Sequence, residues 1–288
     1  MPRNACHEVA RAIAHGTFGV ACILAATQVR AGDGSATGQF ESRNWKVPIA
    51  DAYAFRHEAS LGEGKAIWVA VSNGVFGKEY LDACWDRQYL LDNFFADDET
   101  RVVYLEFGPT GSYSGYSYYF GSGDGCGFCG GGDVTSTVKL AAGRLAGKVA
   151  TKGEDVSFDI SIDVTIATDD YGTDQGPGGG EPGKAYLAYH AALLAGDVAA
   201  LKVRLTAARV ERWQKAEQDG KGDAFLAFLG ENRPQTARVE RAFVSGDRAL
   251  VLVTGESETY GAMHGEAQLR LEGGVWKVDD ETIQIGEP

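Results

Sequence analysis

The segment from Asp169 to Gly183 reads DDYGTDQGPGGGEPG, and it limits the fold more than any other stretch of the chain. It has six glycines, two prolines and no apolar periodicity. Such a stretch reads as a linker, because it offers no side chains to bury. The residues on its two sides must then build separate cores. At 288 residues the chain suits two domains of common size. The reading is a domain over 39–168, a glycine-rich linker over 169–183 and a domain over 184–286. Asp169, Asp170 and Asp174 do not have the spacing of an EF-hand calcium loop, which ends on a bidentate Glu.

Before the linker the apolar period is two. Ile67 to Val71, Val102 to Phe107 and Tyr116 to Phe120 are short β-branched and aromatic runs separated by turn residues. Val156 to Val164 alternates apolar and polar, as a half-buried strand should. One segment differs. From Lys78 to Phe95, Leu81, Cys84, Trp85, Tyr89, Leu91 and Phe94 recur at helical intervals. The expectation is a β-sandwich-like domain with one inserted helix.

After the linker the order reverses. Tyr186, Leu187, Tyr189, His190, Leu193 and Leu194 mark a first helix. Gly196 ends it, and Asp197 caps a second helix. Shorter helices are predicted over Val210 to Ala216 and Ala224 to Leu229, with Pro234 stopping the last. Strands follow at Val239 to Val244, Ala249 to Val253 and Gly265 to Leu271. Gly273-Gly274 then makes a hairpin into Val275 to Val278. The fold class is α+β. Leu250 to Val253 is apolar at both parities, which predicts cover on the outer sheet face by the N-terminal domain or by a second copy in a homodimer.

Residues 1–31 read as a secretory signal. Arg3 and Arg11 precede an apolar run from Thr17 to Ala26, and Val29-Arg30-Ala31 supplies a small-residue cleavage site. Cys22 follows Gly19-Val20-Ala21, a poor lipoprotein box. A periplasmic or secreted location follows, with no integral membrane segment. The formal charge is −13. Without residues 1–31 it becomes −15, from 24 basic and 39 acidic residues. Such a surface repels nucleic acid and anionic lipid.

Cys126-Gly127-Phe128-Cys129 is the sharpest local signal. A CxxC pair serves as a redox motif, half of a zinc site or a small disulfide. Gly130-Gly131-Gly132 follows it, so no helix start lowers a thiol pKa there. Beyond the leader only Cys84 adds another cysteine. A structural disulfide between Cys126 and Cys129 is favoured in an oxidising compartment, with Cys84 as a buried thiol. The rival is a bridge from Cys84 to one of the pair. His57, His190 and His264 stand alone in sequence, without HxH or HExxH spacing, so no metal is assigned. No GxSxG elbow, P-loop or dinucleotide fingerprint follows a strand, and no cofactor is assigned.

Two stretches carry a resemblance. Gly183-Lys184-Ala185-Tyr186-Leu187-Ala188-Tyr189-His190-Ala191-Ala192-Leu193 with Gly196-Asp197 resembles the first helix of the nuclear-transport-factor-like (SnoaL-like, cystatin-like cone) superfamily. Gln268 to Asp279, QLRLEGGVWKVD, resembles its closing hairpin. The likeness covers about residues 183 to 286. It implies a cone-shaped domain of helices and a curved antiparallel sheet. The N-terminal domain is similar to exported bacterial proteins without an assigned activity.

Enzymes of the cone fold work in a pocket between helices and sheet. The resemblance therefore nominates Tyr186, His190, Trp213, Tyr260, His264 and Asp279. If no bulge intervenes, parity with Gln268 places His264 on the outer face, away from Ala267, Leu269 and Leu271, which argues against it as a pocket base. Because the superfamily's motifs are structural, they support a fold more than an activity. The expected role is non-enzymatic binding of a small apolar ligand or a protein partner. The alternatives are a small-molecule isomerase, cyclase or hydrolase using the cone pocket, or an assembly module.

Overall fold

The computed structural model describes residues 34–60, 64–92, 100–120, 125–129, 133–231 and 233–286. The expected signal over 1–31, with Cys22, lies outside the described residues. Strands make up about half of the structure and helices about a fifth, and all three sheets are antiparallel. The chain divides into two compact units between Asp169 and Asp170. No helix among the described residues is long and apolar enough to cross a membrane.

The first unit holds two sheets. One contains β1 (Gly34–Ser42), β2 (Lys46–Ile49), β8 (Thr135–Ser136), β9 (Lys139–Ala141), β10 (Arg144–Lys152) and β11 (Val156–Thr165). They run in the order β2-β1-β11-β10-β8, with β9 also on β10. The other is a meander in chain order of β3 (Asp51–Glu58), β4 (Lys65–Ser72), β5 (Val102–Phe107), β6 (Tyr113–Tyr119) and β7 (Gly125–Cys129). The alternation in β11 buries Phe158, Ile160, Ile162 and Val164. They share one core with Ile67, Val69, Val103 and Leu105 of the second sheet. Strands β4 and β5 are buried on both faces. Their other face carries Trp68 and Tyr104, beside Tyr53 and Phe55 of β3, beneath Leu81, Cys84, Leu90 and Leu91.

The helical intervals over Lys78 to Phe95 predict an inserted helix or helical loop in that covering segment. Over its described residues, 78–92, it forms two short helices, α1 (Lys78–Asp82) and α2 (Arg87–Leu90), and 93–95 lie outside the described residues. Asp86 makes the break, because its side chain accepts the Tyr89 N–H at 3.0 Å and starts a new helix. Arg87 then fastens the segment. It is buried and donates to Leu81 O, Thr168 O and the Asp169 carboxylate, the last two at 2.8 Å.

The second unit pairs β12 (Thr173–Asp174), β13 (Thr236–Ser245), β14 (Arg248–Ser257), β15 (Gly261–Glu272) and β16 (Val275–Ile285) in that order. Its helices are α3 (Gly180–Leu194), α4 (Val198–Lys202), α5 (Ala207–Gln218) and α6 (Gly222–Glu231). Asp197 caps α4 through the Ala200 N–H, as the sequence implied. Gly273 and Gly274 have φ of 60° and 82°, the double positive φ that a tight hairpin requires. On the sheet face opposite Val251 and Val253, Leu250 is also buried.

The glycine-rich segment differs from the linker expectation. Thr173 and Asp174 pair with Val244 and Phe243, and Gln175 N donates to Ala242 O at 2.8 Å. Helix α3 begins at Gly180, four residues before the expected domain start at 184. The glycines are present for close approach. A Cβ on Gly179 would lie 2.8 Å from Val239 Cγ1, and one on Gly183 would lie 2.1 Å from Gly178 O. Periodicity could not reveal this, because glycine has no side chain to mark a buried face. A helical Gly183→Ala change would by propensity alone stabilise α3 by about 1 kcal/mol. Here the packed backbone reverses the sign. Urea unfolding should show the second unit destabilised by about 1–3 kcal/mol, and a stabilised variant would return the segment to linker status.

Candidate functional site

Helix α3 presents Tyr186, Tyr189 and His190 on one face, at spacings of three and four. All three are buried. Opposite them, on β16, stands Glu281, whose side chain has no solvent exposure. Tyr186 donates to Glu281 Oε1 at 2.7 Å, and Tyr189 donates to Oε2 at 3.1 Å. Arg233, in the turn before β13, brings Nη2 to 2.8 Å from Oε2. The Arg209 guanidinium of α5 lies 5.8 Å from the Tyr189 ring centroid. His190 Nε2 sits 2.9 Å from Pro234 O. A carbonyl only accepts, so Nε2 carries the proton.

Glu281 went unseen because β16 changes parity. Val278 pairs with Leu269, and Asp280 pairs with Gln268, so Asp279 is an extra residue in the ladder. Val278 points into the core. Without the bulge Glu281 would face outward. With it, Glu281 pairs with inward-facing Ala267. Arg233 lies in a turn between periodic elements, where no pattern reports burial. Its position immediately before Pro234 was the one local signal.

The candidates separate accordingly. Tyr186 and His190 come together, with ring centroids 6.2 Å apart. Trp213 is buried in the same core, with Lys202 Nζ 5.5 Å from its ring. Asp279 does not join them. Its carboxylate accepts from Thr206 Oγ1 at 2.8 Å and faces Arg270 Nε at 3.4 Å. Tyr260 sits in the turn between β14 and β15, and its side chain is exposed. His264 lies on β15 with Nδ1 2.9 Å from Gly286 O. Cys126 and Cys129 form a disulfide pair, with Cα atoms 6.1 Å apart. Cys84 is buried outside that pair, and its Sγ donates to Tyr80 O. Among the described residues no group of three His, Cys, Asp or Glu is placed to hold a metal ion.

The charges in this core set one another. Burial would raise the Glu281 pKa, but Arg233, Arg209 and the two tyrosine hydroxyls hold it below the ordinary carboxylate range. Burial, reinforced by Glu281, holds Tyr186 well above an ordinary phenol and pushes Tyr189 up to about 12. Burial also lowers His190, which outweighs the pull of Glu281. The cluster is therefore an ionised carboxylate clamped by an arginine, two neutral phenols and a neutral imidazole.

No family model matches the chain, and comparison with curated proteins also finds no match.

Removing one partner should cost more than removing both. Glu281→Gln leaves the Arg233 charge buried and should destabilise the second unit by about 3–5 kcal/mol. Glu281→Gln with Arg233→Met should recover part of that loss in chemical denaturation. A double-variant loss equal to the sum of the Glu281→Gln and Arg233→Met losses would mean the pair is not coupled.

Acid should act in two stages. Both Glu281 and His190 have folded pKa values below their unfolded ones, so each favours the folded state at higher pH. The His190 contribution begins to fall as pH drops below about 6.5, where the unfolded imidazole takes up a proton that the folded one refuses. The Glu281 contribution is intact above about 4.5 and is lost as pH falls through the lowered folded value. His190→Gln should remove only the upper stage from the urea midpoint plotted against pH.

Proposed function

We propose that the chain is an exported, non-enzymatic binding protein whose C-terminal unit engages a protein partner at its surface. The observation that carries this reading is the state of Glu281. Its carboxylate takes hydrogen bonds from Tyr186 and Tyr189 and an ion pair from Arg233. An isomerase, cyclase or hydrolase needs a group that trades a proton near neutrality. Glu281 is held in the opposite sense, and the phenols beside it are held protonated.

The same core argues against a small apolar ligand inside it. Tyr186, Tyr189, Trp213, Leu201 and Leu205 are all buried within 1% of complete and pack together. An interior filled by its own aromatic side chains leaves recognition to the surface. In this reading the C-terminal unit is a cone of the nuclear-transport-factor-like type, used for its shape rather than for a pocket. Support comes from the Gly183–Leu193 and Gln268–Asp279 stretches and from the order of helices before antiparallel strands. The N-terminal unit is a β-sandwich. Export is supported by the leader sequence and by a disulfide pair that persists in an oxidising compartment.

Native mass spectrometry of the protein released gently from the cells that export it tests the reading. The expected spectrum carries the chain bound to another polypeptide, with no stoichiometric small molecule. A small-molecule adduct lost on Trp213→Ala would overturn it in favour of an interior site.

A further inference from the structure

The other side-chain constellation with a consequence lies in the N-terminal unit, at the edge of its meander sheet, and does not depend on the C-terminal reading. Strand β7 is the outermost strand there. It holds to β6 through three Cα pairs: Tyr116 with Cys129, Tyr118 with Cys126 and Tyr119 with Gly125. Between the first two pairs β6 advances two residues while β7 advances three. Side chains three apart on a regular strand point to opposite faces. The extra residue is a bulge, and it turns Cys126 and Cys129 to the same side, where they join. Phe128 goes to the other side and fills the space above Gly115, where a Cβ would lie 2.4 Å from its ring.

A bulged, glycine-bearing strand is a poor template for another strand, so β7 blunts the sheet edge. The strand beneath it is the opposite. Residues 113–119 read YSGYSYY, with no charge and no proline. Seven residues of high β-propensity and no charge are of the kind that pairs with its own copies. Antiparallel self-pairing centred on Tyr116 would set Tyr113 against Tyr119, Ser114 against Tyr118 and Gly115 against Ser117. No like charges meet across that two-fold axis, and tyrosine faces tyrosine at its centre.

We infer that the Cys126–Cys129 disulfide is a redox latch: closed, it holds β7 over the edge of β6, and opened by reduction it releases that edge to pair with β6 of a second copy of the chain. The step is ordinary exchange. A dithiol gives two electrons and two protons, the Cys126 and Cys129 sulfurs become thiols, and the donor closes its own disulfide. Among the described residues the remaining cysteine, Cys84, stands outside the pair, so a reductant meets a single disulfide there.

The test compares the full chain oxidised, the same protein in dithiothreitol, and a Cys126→Ser/Cys129→Ser variant. Hydrogen exchange over residues 113–120 should quicken at least about tenfold on reduction, while residues 248–257 stay unchanged. Sedimentation velocity should show the reduced chain doubling its oxidised association state as concentration rises. Ser117→Lys, which puts a charge on the released edge, should abolish that doubling and leave the faster exchange. If the double serine variant fails to fold, reduction of folded oxidised protein still decides. Unchanged exchange on reduction overturns the latch. Faster exchange without added association, or association that Ser117→Lys leaves intact, overturns pairing through β6.

Discussion

A carboxylate removed from water must be met by charge and hydrogen bonds, and in the second unit that requirement organises everything around Glu281. Tyr186 and Tyr189 satisfy it from α3, Arg233 from the turn before β13, and Arg209 adds positive charge from α5. Counting Glu281 on β16, these groups come from four places in the chain, so the network forms only when helices and sheet have docked. An apolar core of the same volume would serve stability as well. The network instead specifies which face of α3 meets which strand. The bulge at Asp279 belongs to the same arrangement, since it turns Glu281 inward. It also leaves Asp279 for Thr206, the residue that caps α5.

The docking of α3 needs a second condition, close backbone approach. Gly179 and Gly183 sit where a methyl group would strike Val239 or Gly178. A helix that starts this close to a sheet can present its first tyrosine to the last strand. A flexible spacer and a tight packing seam use the same residue, for opposite reasons. In the spacer glycine contributes conformational freedom; in the seam it contributes the absence of a side chain.

The first unit is held by different means. Its two sheets share one apolar core, and the meander sheet also buries its outer face under two short helices. Arg87 ties those helices to Thr168 and Asp169, the residues that end the unit. At the opposite edge of the meander a bulge and a disulfide do together what a longer strand would do by hydrogen bonding alone. The bulge brings the two sulfurs to one side, and their bond keeps the bulge in place.

Much of this was legible in the residues. Period two before Asp169, helical period after Gly183 and period two again after Pro234 mark the α+β order. Strands β11 and β13 to β15, the Asp197 cap, the Gly273-Gly274 hairpin and the pairing of Cys126 with Cys129 all follow from local spacing, because each depends on neighbours a few residues away. Tyr186 and His190 were reachable as a pair from their helical spacing, but their partners were not. Glu281 needed a bulge that no periodicity announces, and Arg233 needed a turn folded inward. Tyr260 and Asp279 suited a pocket by residue type and fell elsewhere, since type does not set direction. The sequence by itself determined most of the elements, their order and the local staples. Only the tertiary structure decided which charges are buried together and which glycines are seams, because both depend on contacts between segments far apart in the chain.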